Sequence, residues 1–64
     1  MMQNDRYLTE KEVSEMTRIA PQTLRNNRFH GRGIPYCKIG RSIRYALSDV
    51  IHFMERGKIK TSPD

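Results

Sequence analysis

Sixty-four residues with one cysteine, a net charge of +5 and a pI near 9.9 make a single domain with no internal disulfide. A chain this short buries only about 60% of its unfolded surface, which argues against a deep catalytic cleft and suits a module that works through its exterior. No apolar run approaches the ~20 residues that span a bilayer, and residues 1–5 lack the hydrophobic core of a signal peptide, so the expected location is cytoplasmic and away from membranes.

Residues 1–5 are polar and are expected to be flexible. Thr9 with Glu12 three positions on matches a capping box, and Leu8 before it can staple onto Val13. The first helix is predicted over 10–17, with Val13 and Met16 inward. Arg18-Ile19-Ala20 is a short break. Pro21 then suits the first position of a second helix, because its missing N–H costs nothing there. That helix reaches Arg28 or Phe29. Two short helices joined by three residues, with apolar Ile19 in the turn, fit a helix-turn-helix. Ala20 is a poor N-cap.

Residues 31–35, Gly-Arg-Gly-Ile-Pro, read as a loop. Strands are predicted over 36–39 and 43–46 around Gly40-Arg41-Ser42. Alternation suggests that Ile39 opposes Ile43 and Cys37 opposes Tyr45, with Lys38 and Arg44 sharing the polar face. The tip is then a three-residue loop, or a Gly-first two-residue turn with a bulge. A third helix follows at about 48–56, starting at Ser48 or Leu47 and ending at Gly57. Residues 58–64 are expected to be a disordered tail. The fold class is mainly α with a small β-hairpin, a winged helix-turn-helix over 6–57. Its expected core is Leu8, Val13, Met16, Ile19, Leu24, Ile34, Ile39, Ile43, Tyr45, Val50 and Phe53.

Charge is sorted along the chain. Between Met16 and Ser48 there is no aspartate or glutamate, yet this stretch holds Arg18, Arg25, Arg28, Arg32, Lys38, Arg41 and Arg44. A +5 charge kept only for solubility would be spread out; a block of cations is the footprint of a phosphate-backbone binder. On the second helix, Leu24 points inward, which leaves Gln22, Arg25, Asn26 and Phe29 outward. Arginine can bond guanine through two donors, and Asn or Gln can do the same to adenine. The bland alternative is a merely solvated helix face. The hairpin sets Lys38, Arg41 and Arg44 on a ribbon that can follow phosphates or enter a minor groove. Edge-strand protection would explain Lys38 but not an arginine at the tip. Arg28 and Arg32 are expected to reach phosphates; Arg18 either does so or pairs with Glu15. Phe29 either packs under the 31–33 loop, the preferred reading, or projects into the groove toward a thymine methyl. Asn27 is expected half-buried against the loop backbone.

Chemistry has little support. His30, His52 and Cys37 lack metal-site spacing, and three ligands do not close a zinc site. Cys37 reads as a small buried hydrophobe. The 31–33 Gly-x-Gly is too short for a phosphate loop. No cofactor, metal, small-molecule ligand or enzymatic activity is expected.

The runs Tyr7-Leu8-Thr9-Glu10-Lys11-Glu12-Val13, Thr23-Leu24-Arg25, residues 33–45 from Gly-Ile-Pro-Tyr to Ile-Arg-Tyr, and Ser48-Asp49-Val50 resemble the small excisionase and AlpA-like DNA-binding proteins of the MerR-type winged helix group. The likeness spans about residues 7–55. It implies the second helix in the major groove and the hairpin as a minor-groove wing. Carried over by position, the DNA-contacting set is Gln22, Thr23, Arg25, Asn26 and Arg28 on the helix. On the loop and wing it is Arg32, Lys38, Arg41, Ser42 and Arg44. Ala20 departs from the usual polar cap, and Asn27 from a usual large apolar residue. The long C-terminal dimerisation helix of MerR regulators and an effector domain are also missing from the pattern. The resemblance implies a sequence-specific double-stranded DNA binder, either an excisionase-type recombination directionality factor or a small phage or prophage transcription regulator. Its further partners would be an integrase or copies of itself on DNA. The rival reading is a protein-interaction module that binds an integrase, polymerase or other regulator through its cations.

Overall fold

The Thr9 hydroxyl accepts the Glu12 N–H at 3.1 Å, and the Glu12 carboxylate accepts the Thr9 N–H at 2.8 Å. That capping box opens α1 (Glu10–Thr17) in the computed structural model, which describes residues 6–60. The expected flexibility of residues 1–5 and of 61–64 in the tail falls outside the described residues. Leu8 and Val13, the two ends of the staple, both lie in the core.

Helix α1 ends at Arg18, whose φ of 63° puts a non-glycine residue in the left-handed region. Side chains stitch the turn that follows. The Ser14 hydroxyl donates to the Ile19 carbonyl at 2.7 Å, and the Thr17 oxygen accepts the Ile19 N–H at 3.2 Å. Helix α2 (Pro21–Phe29) then starts with proline in its first turn and no side-chain cap from Ala20. The Thr23 and Leu24 N–H groups bond back to the Ala20 carbonyl, so the backbone replaces the missing cap.

The sheet has three antiparallel strands in the order β1 (Tyr7–Leu8), β3 (Ser42–Ala46), β2 (Cys37–Ile39). Strand β1 was absent from the sequence reading; it pairs Leu8 with Tyr45 and Tyr7 with Ala46, which ties the chain start to the wing. Strand β3 runs straight into α3 (Leu47–Arg56). Around these elements Leu8, Val13, Leu24, Ile34, Tyr45 and Val50 form the core, with Ile19, Ile43, Leu47 and Phe53 against it.

The wing register differs from the expected one by a single residue. Cys37 opposes Arg44, Lys38 opposes Ile43, and Ile39 opposes Ser42. The turn is therefore the two residues Gly40 and Arg41. Gly40 has φ 61° and Arg41 does not have a positive φ, as a Gly-first hairpin turn requires. One step of slip moves every side chain to the other face. Lys38 consequently shares its face with Ile43 and Tyr45, whereas Arg44 sits on the opposite face with Cys37 and Ile39.

Four burial expectations are corrected by this arrangement. Ile39 is 69% exposed and Cys37 is exposed, because all three residues of β2 lie beyond the edge of the core. Met16 is 48% exposed, since Val13 alone of α1 is buried. Phe29, at the last turn of α2, is 86% exposed rather than packed under the loop. Asn27 is half-buried as expected, but its side chain meets Arg32 and Gly33: its Oδ1 accepts from Arg32 Nε at 3.3 Å.

Candidate nucleic-acid interface

Helix α2 and the β2–β3 wing face each other across an open groove of about 680 Å³. Gln22, Arg25, Asn26, Arg28 and Phe29 form the helix wall. Tyr36, Lys38, Ile43 and the turn residues Gly40 and Arg41 form the other. Among the described residues that line it there is no acid, so four cations meet on one concave surface. Cations lining a concave face raise the local concentration of a polyanion.

The helix wall carries a continuous chain of hydrogen bonds. Glu10 Oε1 of α1 accepts from Arg25 Nη1 at 3.0 Å. Arg25 Nη2 donates to Gln22 Oε1 at 3.3 Å, and Gln22 Nε2 donates to Asn26 Oδ1 at 3.2 Å. The three side chains suited to reading base edges are thus ordered against one another and exposed.

Arg28 is built differently from Arg25. Its side chain is only 17% exposed, against 49% for Arg25. It donates to Glu10 Oε2 at 2.9 Å and to the Tyr45 hydroxyl at 2.7 Å, and its guanidinium lies 5.7 Å from the Tyr36 ring centroid. Burial works against its charge, but the hydrogen bonds to Glu10 and Tyr45 outweigh it and hold the pKa above the ordinary arginine value. Arg28 joins α1, α2, the loop and β3, and so ties α2 to the wing.

The groove gathers six of the ten residues expected to contact DNA: Gln22, Arg25, Asn26, Arg28, Lys38 and Arg41. The other four lie elsewhere. Thr23 is exposed in the first turn of α2, and Arg32 bonds Asn27 beyond the end of that helix. Ser42 is exposed opposite Ile39. Arg44 lies on the outer face of the wing, donating to the Ile43 carbonyl at 2.8 Å. There it acts with Arg6 on Glu12, whose pKa is lowered chiefly by the Thr9 N–H bond and then by the Thr9 hydroxyl and these two cations, against a desolvation cost. Sequence reasoning missed Tyr36 and Ile43 as groove residues and Glu10 as the partner of both helix arginines. Glu10 lies 15 residues from Arg25, and no local pattern signals that pairing.

Two helices joined by a tight turn, a β-hairpin beside the second helix, and a third helix closing the core define a winged helix-turn-helix. The family model of the helix-turn-helix domain matches residues 7–58, and the chain belongs to that family of small DNA-binding proteins. No curated protein and no solved structure matches it. No helix among the described residues is long and apolar enough to cross a membrane.

Proposed function

We propose that this chain is a sequence-specific double-stranded DNA-binding protein that works by binding alone, without catalysis or cofactor. Helix α2 enters the major groove and reads bases through Gln22, Arg25 and Asn26. The wing follows the adjacent minor groove with Lys38 and Arg41. The observation that carries this reading is the acid-free groove between α2 and the wing, where exposed base-reading side chains and wing cations converge. Its role is that of an excisionase-type architectural factor or a small phage or prophage transcription regulator, acting from the cytoplasm. Both roles use the same face. They are separated by whether bound duplex bends, which circularly permuted fragments read as a shift in gel mobility.

The test is the salt dependence of duplex binding. Neutralisation of about five phosphates makes log K fall against log salt with a slope near −4 to −5. A slope near zero, or no duplex binding at low salt, contradicts the reading. That result favours the rival, a module docking an integrase, polymerase or regulator. The specific observation on the rival's side is the outer sheet face, where Tyr7, Cys37 and Ile39 are exposed together.

A further inference from the structure

We propose that Glu10 is a specificity-determining positioning residue: it braces Arg25 for base contact and at the same time weakens sequence-independent attraction to phosphate. The inference rests on the DNA-binding reading above and deepens it.

Glu10 belongs to α1, outside the reading helix, and its side chain is 22% exposed. One carboxylate oxygen holds Arg25 and the other holds Arg28. A single acid thereby sits behind two of the four groove cations. Its role in structure is met by Arg28, the less exposed member, whose guanidinium also bonds Tyr45. The bond to Arg25 serves a half-exposed side chain, where an ion pair contributes little to stability. The chemistry of that second bond points elsewhere.

A guanidinium has five N–H donors. Arg25 uses one on Nη1 for Glu10 and one on Nη2 for Gln22, so on these contacts three donors stay available to a ligand. Two donors suffice for the O6 and N7 edge of guanine. Arg25 can therefore bond a base without leaving Glu10. Ordering a free arginine on a base carries a large rotamer-entropy cost, and a side chain already held by two partners has met most of it. The brace favours the correct base contact. The negative charge behind it acts in the opposite direction on non-specific binding, because a phosphate approaching Arg25 also meets Glu10. Both effects widen the ratio between specific and non-specific affinity, which governs selection of a site among many competitors.

The experiment uses the full chain. A pool of random-sequence duplexes is selected with wild type, and the enriched duplex and a scrambled duplex of equal length serve as probes for wild type, Glu10→Gln, Arg25→Ala and the double variant. Glu10→Gln keeps an acceptor for Arg28 and removes the charge. It is expected to bind the scrambled duplex about two- to five-fold more tightly, to steepen its salt slope by about 0.9, and to lower the enriched-to-scrambled ratio roughly five- to ten-fold. In the Arg25→Ala background, Glu10→Gln changes that ratio less than about two-fold, because the effect runs through Arg25. A purely structural Glu10 would lower both affinities together and would do so with or without Arg25. If Glu10→Gln does not fold in plain buffer, the four proteins are compared in a stabilising osmolyte such as trimethylamine N-oxide, where the same fall in the ratio is expected. An unchanged ratio, or a fall that persists without Arg25, overturns the inference while the DNA-binding reading stands. Absence of any duplex binding by wild type overturns both.

Discussion

Arg28→Ala separates the framework of this domain from the DNA-reading face proposed for it. The substitution removes a charged hydrogen bond to Glu10 at 2.9 Å, the bond to the Tyr45 hydroxyl at 2.7 Å and the contact with the Tyr36 ring. Tyr45 is 1% exposed, so its hydroxyl loses this partner where water has little access. Hydrogen bonds to charged groups contribute about 1.5–3 kcal/mol, and a ring contact about 0.5–1 more. Allowing for the solvent that reaches a side chain 17% exposed, the loss is about 2–4 kcal/mol. A domain of this length has a total stability of roughly 3–10 kcal/mol. At about 4–8 °C per kcal/mol, Tm falls by roughly 8–32 °C. Arg25→Ala, at the other oxygen of the same carboxylate, removes an exposed pair that contributes about 0–1 kcal/mol, and its Tm moves by only a few degrees. Its duplex binding is nonetheless weakened, to a level still measurable at low salt. Thermal unfolding followed by far-UV circular dichroism measures both variants. An Arg28→Ala protein that melts within about 5 °C of wild type, or an Arg25→Ala protein destabilised as much as Arg28→Ala, refutes the division of labour.

Three further outcomes are expected. Gly33→Ala lowers stability by about 2–3 kcal/mol, because φ is 92° there and the new Cβ would lie 2.7 Å from Asn27 Cβ; chemical denaturation with an unchanged midpoint contradicts this. Arg41→Ala, at the exposed wing tip, weakens binding about equally on all sequences and flattens the salt slope by about one unit; a changed base preference means instead that the tip reads sequence. The Glu12 carboxylate, its pKa lowered from 4.5 first by the Thr9 N–H bond, adds stability that is present above pH 4.5 and lost as pH falls through the depressed value. Glu12→Gln keeps the capping box without the titration, so the advantage of wild type narrows below pH 4.5; a difference that stays constant between about pH 6 and 3 argues against the cap as its source.

The helices were legible because local chemistry and tertiary structure agree. Thr9 and Glu12 announce the start of α1, Pro21 that of α2, and Val13, Leu24 and Val50 fall on the buried face of their helices. The wing was not legible to the same depth. Alternation of Cys37 and Ile39 suggests an inward apolar pair, but the wing projects past the core and no burial rewards that choice. The compact Gly40–Arg41 turn and the inward Ile43 and Tyr45 of β3 decide the register instead. One residue of slip then carried Arg44 away from the groove and left Lys38 within it. Strand β1 escaped notice because two residues carry no period, and only pairing with Tyr45 and Ala46 makes them a strand. At the site, the charge block announced a cationic face, yet it could not tell exposed Arg25 from inward Arg28. That distinction depends on Glu10 and Tyr45, which lie 18 and 17 residues away from Arg28.

Duplex DNA is expected to sit in the groove between α2 and the wing, and backbone amide NMR of the folded chain titrated with its selected duplex locates it. The largest shifts are expected at Gln22, Arg25, Asn26, Lys38 and Arg41, with Tyr7, Cys37, Ile39 and Arg44 little changed. Shifts centred on the outer face of the sheet, with the groove residues silent, would contradict it.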